Sequence, residues 1–173
     1  MSAAPYLAEI IRFFTAFLLA CAALGKLRTL ASFANNLAGS FGVPRQAATI
    51  LAPALVALEA LLAVLILAGG GIGRAGMAGA LVLFVLVTAL VGYRYVVEGG
   101  IKCSCFGESE RPVSGYDLLR NGLIIATIGA GLAVSGGAVF GKKESVLAAA
   151  LALIGTIGAI GFHDLARALK RSA

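Results

Sequence analysis

Charge is scarce in this chain. Only 13% of its 173 residues are Asp, Glu, Lys or Arg, against about 25% in an average soluble domain, and 60% are hydrophobic. That balance excludes both a disordered chain and an ordinary soluble domain, and a mean hydropathy of +0.99 makes lipid the main solvent. Three cysteines are too few for a disulfide scaffold, the 23 glycines follow no collagen-type period, and tryptophan is absent. The one histidine, His163, stands far from the cysteine pair described below. A net charge of +6 would suit a nucleic-acid binder, but the 14 basic residues are scattered between apolar runs and form no basic face. They read as headgroup anchors, so the expected partner is membrane lipid and not nucleic acid.

What is present divides into apolar runs of about 20 residues, the length that crosses a bilayer. The reading is an all-α polytopic membrane protein, one integral domain over 1–173, with five spans at about 6–25, 47–68, 75–97, 118–140 and 145–162. The first span includes Glu9 and Arg12, three apart and therefore on one helical face, where they can pair or snorkel. Leu18-Leu19-Ala20-Cys21 looks like a lipoprotein cleavage site, but no basic region precedes it. Leu30, Phe33, Leu37 and Phe41 recur at spacings of three and four, which predicts an amphipathic segment lying at the interface. Pro53 predicts a kink in the second span, Gly69-Gly70-Gly71 a tight return, and Tyr93-Arg94-Tyr95 an interfacial belt. Gly155, Gly158 and Gly161 predict close backbone approach by the last helix.

The polar stretch 98–117 carries Lys102-Cys103-Ser104-Cys105-Phe106-Gly107. Two thiols one residue apart can close a short, strained disulfide ring that is easily reduced, and Lys102 favours the reactive thiolate of Cys103. Redox exchange is one reading of the pair. Capture of copper(I) or zinc by soft thiolates is another, and a structural or inert pair a third. A metal site would need further donors such as Cys21 and an outside ligand. Cys21, near the end of the first span, is either a third exchanging thiol or a small core residue.

Glu59, near the middle of the second span, costs about 2.5 kcal/mol or more unless paired or protonated within the bundle. It reads as a proton-handling group, accompanying thiol exchange or the chemistry of a membrane quinone, or as a structural partner of Lys26, Arg94 or Arg120. Arg120-Asn121 opens the fourth span and can cap the cysteine loop, hold an anionic group, or snorkel. With five spans, ten of the 14 basic residues share the side of the cysteine loop, which by the positive-inside rule is cytoplasmic.

The Cys103-Ser104-Cys105-Phe106-Gly107 loop, with Leu119-Arg120-Asn121 opening a span, resembles the MauE family, the membrane proteins of methylamine utilisation within the wider DoxX-like group. Gly25-Lys26, Phe33, Pro53 and Glu59 also look like that family's pattern, and the similarity covers about residues 6–140. The resemblance implies a four-helix core similar to DoxX and distantly to vitamin K epoxide reductase, with the fifth span added. It further implies thiol-disulfide exchange through Cys103 and Cys105 with a thioredoxin-like partner, assisting maturation of an exported protein at the inner membrane. A periplasmic partner requires the loop on the outer face, opposite to the charge count. A homo-oligomer and a non-enzymatic chaperone or scaffold complete the readings.

Overall fold

Small residues and long apolar runs leave this chain little alternative to helices that satisfy their own backbone in lipid. The computed structural model describes residues 4–98, 113–134 and 142–161. They form six helices and no strand among the described residues: α1 Ala4–Arg28, α2 Leu30–Phe41, α3 Arg45–Ala68, α4 Gly70–Glu98, α5 Gly115–Val134 and α6 Lys142–Ile160. Four of these, α1, α3, α4 and α5, are long and apolar enough to cross a membrane. The fifth predicted span is shorter than expected: the apolar part of α6, Ser145–Ile160, reaches only about 24 Å at 1.5 Å per residue, against about 30 Å of hydrocarbon.

The four long helices close a ring in which α1 packs on α3, α3 on α4, α4 on α5, and α5 back on α1. Outside the ring, α6 lies against α1, and α2 lies mainly against α3. The core is centred on α1, where Thr15, Ala16, Leu18 and Leu19 are at most 1% exposed. Ile66, Ala80 and Ile128 meet them from α3, α4 and α5. The outer faces are as apolar as the inner ones, with Ile50, Val64, Leu86 and Ile154 all largely exposed, a surface suited to lipid and not to water.

Turn chemistry sets the helix ends. Gly42 closes α2 with φ 66°, and its N–H donates to the Leu37 carbonyl. A side chain there would be strained by the backbone and would also meet the Arg94 guanidinium at 3.1 Å. Gly69 joins α3 to α4 with φ 73°, and α4 begins at once. The third helix of the sequence reading therefore starts at residue 70 and not 75. Glycines in its first turns stay helical because they let α4 lie on α3: a Cβ at Gly76 would sit 3.0 Å from the Ile66 backbone. Of the three glycines expected to serve this purpose in the last helix, only Gly155 faces a neighbouring helix closely: a Cβ there would lie 3.5 Å from the Phe14 ring. The packed face of α6 consists of Ala148, Ala152 and Thr156.

α3 is continuous through Pro53, whose ring lies on its exposed face. The amphipathic segment is helical as expected, but its apolar side turns into the bundle, with Phe33 only 8% exposed. The structure extends the fourth predicted span to begin at Gly115, where the Ser114 N–H and hydroxyl both donate to Asp117 at 2.9 Å. Residues 135–140 of that span lie outside the described residues.

Candidate functional site

Two contacts fix how α1 and α3 run past each other. Arg12 near the start of α1 reaches the end of α3, whereas Lys26 near the end of α1 reaches Glu59 in its middle, so the helices are antiparallel. Side chains on a helix lean toward its N-terminus, and here that leaning carries Lys26 and Glu59 toward each other. The Lys26 ammonium donates to both Glu59 oxygens, at 2.7 Å to Oε1 and 2.9 Å to Oε2. Lys26 is 5% exposed and Glu59 8%. The Phe33 ring centroid lies 5.6 Å from the ammonium, adding a cation–π contact from α2. Of the three partners proposed from sequence for Glu59, the structure selects Lys26.

Arg120 and Asn121 are both buried at the start of α5. The guanidinium donates to Asn121 Oδ1 from Nε at 3.3 Å and from Nη2 at 3.2 Å, and Asp117 stands 3.9 Å away. Because Arg only donates, the amide oxygen must face it and the amide nitrogen must face elsewhere. Asn121 lines, together with Lys26 and Glu59, a cavity of about 110 Å³. Its other walls are apolar side chains of α1, α2, α3 and α4. Asn121, which the sequence does not link to the Lys26–Glu59 pair, thus meets it in one place. The cavity itself was not foreseen, and its only sequence signal was the apolar stripe Phe33, Leu37 and Phe41, which forms one wall.

Cys21 is half-buried and carries a free thiol. It stands seven residues, two turns, after Phe14, on the side of α1 that approaches α6 at Gly155. It does not line the cavity. Lys102, Cys103 and Cys105 lie outside the described residues. The segment that carries them leaves α4 at Glu98 and returns before α5 at Gly115. Val91 and Asn121, on the cavity wall, are seven and six residues from those helix ends, about 10 Å of helix each.

A closed ring of four apolar helices with a buried ion pair and a lipid-facing exterior defines a multi-pass helical membrane protein. Residues 4–136 match the family described as methylamine utilisation protein MauE, and the chain belongs to that family. No curated protein and no solved structure matches the chain.

Proposed function

We propose that this chain is an inner-membrane thiol-disulfide exchange protein that works through Cys103 and Cys105 with a thioredoxin-like partner and assists disulfide formation in an exported protein. The observation that carries this reading is the Cys103-Ser104-Cys105 pair, which lies within the family match and in the chain's longest polar stretch. The helices on either side of that stretch are anchored, α5 by the Ser114–Asp117 contacts at its start and α4 by packing against α3 and α5. An exchanging dithiol needs such a fixed platform with a loop long enough to meet a partner.

In the exchange, one thiolate of the pair attacks the partner disulfide, forming a mixed disulfide and releasing one partner thiolate. The second cysteine then displaces the remaining partner sulfur, leaving a Cys103–Cys105 disulfide and a partner dithiol. Run in reverse, the same two steps take two electrons from a partner dithiol, the direction that disulfide formation requires. A membrane quinone is the acceptor class that would reoxidise the pair: dithiol plus quinone gives disulfide plus hydroquinone.

The test is trapping in a Cys21→Ala background. Cys105→Ser should accumulate a mixed disulfide through Cys103, or Cys103→Ser through Cys105. Thiols that stay alkylatable in the presence of an oxidised partner sink the proposal. Stoichiometric copper or zinc, lost in either single variant, would support the metal-binding reading in its place. Labelling of Cys103 in intact cells by a membrane-impermeant maleimide fixes the side on which the partner acts.

A further inference from the structure

We propose that the cleft at the turn between α2 and α3 binds the phosphate of an anionic phospholipid through Arg45 and Asn35. This inference concerns lipid binding alone and does not rest on thiol exchange at the cysteine loop. Basic residues scattered along a membrane surface attract anionic headgroups diffusely, whereas a shaped basic pocket between helices binds one of them in place.

Shape and charge coincide at this turn. Gly42 caps α2, α3 starts at Arg45, and between them opens a surface cleft of about 400 Å³ lined by Asn35, Ala38, Gly39, Val43 and Arg45. That volume falls within the range of about 300–1,000 Å³ typical of ligand clefts. Its α2 side is built of small residues, and a Cβ at Gly39 would meet nothing within 4 Å. Arg45 and Asn35 are exposed, and neither has a hydrogen-bond or ion-pair partner among the described residues. No Asp or Glu occurs between Glu9 and Glu59, and Glu59 is held by Lys26, so α2 and α3 offer Arg45 no carboxylate. A second arginine approaches from α4. Arg94 Nη2 lies 3.1 Å from where a Cβ of Gly42 would stand, next to the cleft residue Val43. Two guanidinium groups from different helices therefore flank one turn. The planar fork of Arg45 can give two parallel hydrogen bonds to phosphate oxygens, and the Asn35 amide supplies a further donor from the α2 side. A zwitterionic headgroup brings its own ammonium to the same arginines, so a net anion is favoured.

Position selects a lipid over a soluble anion. α3 has 24 residues, a length of about 36 Å against about 30 Å of hydrocarbon, so its first residue, Arg45, stands in the headgroup layer. Five residues deeper on the same helix, Ile50 is 70% exposed, so acyl chains border the cleft. A phosphate held at Arg45 would leave its chains beside Ile50 in the bilayer.

The experiment titrates the full chain in detergent micelles with dioleoyl phosphatidylglycerol and counts bound lipid by native mass spectrometry. One saturating adduct per chain is expected, with phosphatidylcholine of the same acyl chains at least about fivefold weaker. Arg45→Gln should weaken phosphatidylglycerol binding about tenfold, as expected for losing charge-assisted hydrogen bonds, and Asn35→Leu about threefold, as for one neutral bond. Arg74→Gln removes the same charge near the opposite end of α4 and should leave binding unchanged. Equal losses in Arg45→Gln and Arg74→Gln would reduce the effect to diffuse charge attraction and overturn the site. Adducts that never saturate overturn it as well, as does phosphatidylcholine binding of equal strength. Inorganic phosphate should fail to displace the lipid at equal concentration; displacement would assign the cleft to a soluble anion and overturn the lipid reading.

Discussion

The two ends of α1 each carry an ion pair, and they solve different problems. At one end Arg12 binds Glu9 three residues away, with Nη2 at 2.6 Å from Oε1 and Nε at 2.9 Å from Oε2. The same guanidinium donates from Nη1 to the Ile66 and Leu67 carbonyls, at 2.9 and 3.2 Å, capping the open end of α3 from a neighbouring helix. Its side chain is 20% exposed, so water or lipid headgroups can share the load. At the other end Lys26 and Glu59 are 33 residues apart, their side chains are 7% and 10% exposed, and each is the other's direct counter-ion. The first pair finishes a helix hairpin that needs closing. The second places two charges where neither can be solvated, beside a cavity the bundle could have filled with leucine. A buried ion pair is weak evidence for stability, so its retention points to a requirement other than stability at that end of the bundle.

The sharpest way to break this contrast is to remove one member of the inner pair. Glu59→Leu or Lys26→Met leaves an uncompensated buried charge and should cost about 3–5 kcal/mol. The double variant replaces both charges with apolar groups of similar volume and should recover most of that loss. Detergent-resolved thermal unfolding of the four proteins checks the cycle. Additive single losses in the double variant would show that the two residues do not act as a pair.

The turns at the two ends offer a second comparison. Gly42 and Gly69 both have positive φ, and at each an arginine covers the space where a Cβ would go: Arg94 at 3.1 Å and Arg12 at 3.3 Å. Alanine at either position should cost about 1–2 kcal/mol from backbone conformation alone. Each substitution should add the displacement of its arginine, Arg94 at Gly42 and Arg12 from the Ile66 and Leu67 carbonyls at Gly69, and therefore exceed that figure in the same unfolding assay. A smaller effect at Gly69 would mean that Arg12 can shift without losing its carbonyl contacts.

How much of this was readable in the sequence depends on how local each feature is. Glu9 and Arg12 are legible because a spacing of three on a helix nearly guarantees proximity. The spans at α1, α3 and α4 are legible because bilayer crossing depends on length and hydropathy, not on partners. Helix ends were less so. Gly69-Gly70-Gly71 reads as a turn by composition, yet α4 begins at Gly70, and Gly73 and Gly76 are the glycines that let it lie against α3. Lys26 could be named as one of three possible partners for Glu59, but choosing it required the antiparallel offset of α1 and α3. The contact of Asn121 with Arg120 is local, but the cavity is walled by residues from five helices, which no local pattern records. The amphipathic stripe of α2 is legible from its spacing, but its packing into the bundle is not. Phe33 covers Lys26 of the ion pair, while Phe41 packs against Val91 and Val113.

The outer pair should respond mildly. Arg12→Leu removes the cap on α3 as well as the Glu9 contact and should cost about 1–2 kcal/mol, the range for losing hydrogen bonds from a charged, partly exposed group. Glu9→Gln spares the carbonyl contacts and removes only the charge of a partner at i,i+3. Such pairs contribute about 0.2–0.5 kcal/mol on a helix and weaken with salt. The expected loss is therefore at the edge of detection, and it should vanish as ionic strength rises, whereas the inner pair, shielded from ions, should keep its full effect. Measuring Glu9→Gln and Glu59→Leu at low and high salt places the two pairs on one scale. If Glu9→Gln proved as costly as Glu59→Leu and equally insensitive to salt, the outer pair would have to be as cut off from solvent as the inner one, and the contrast between the two ends of α1 would collapse.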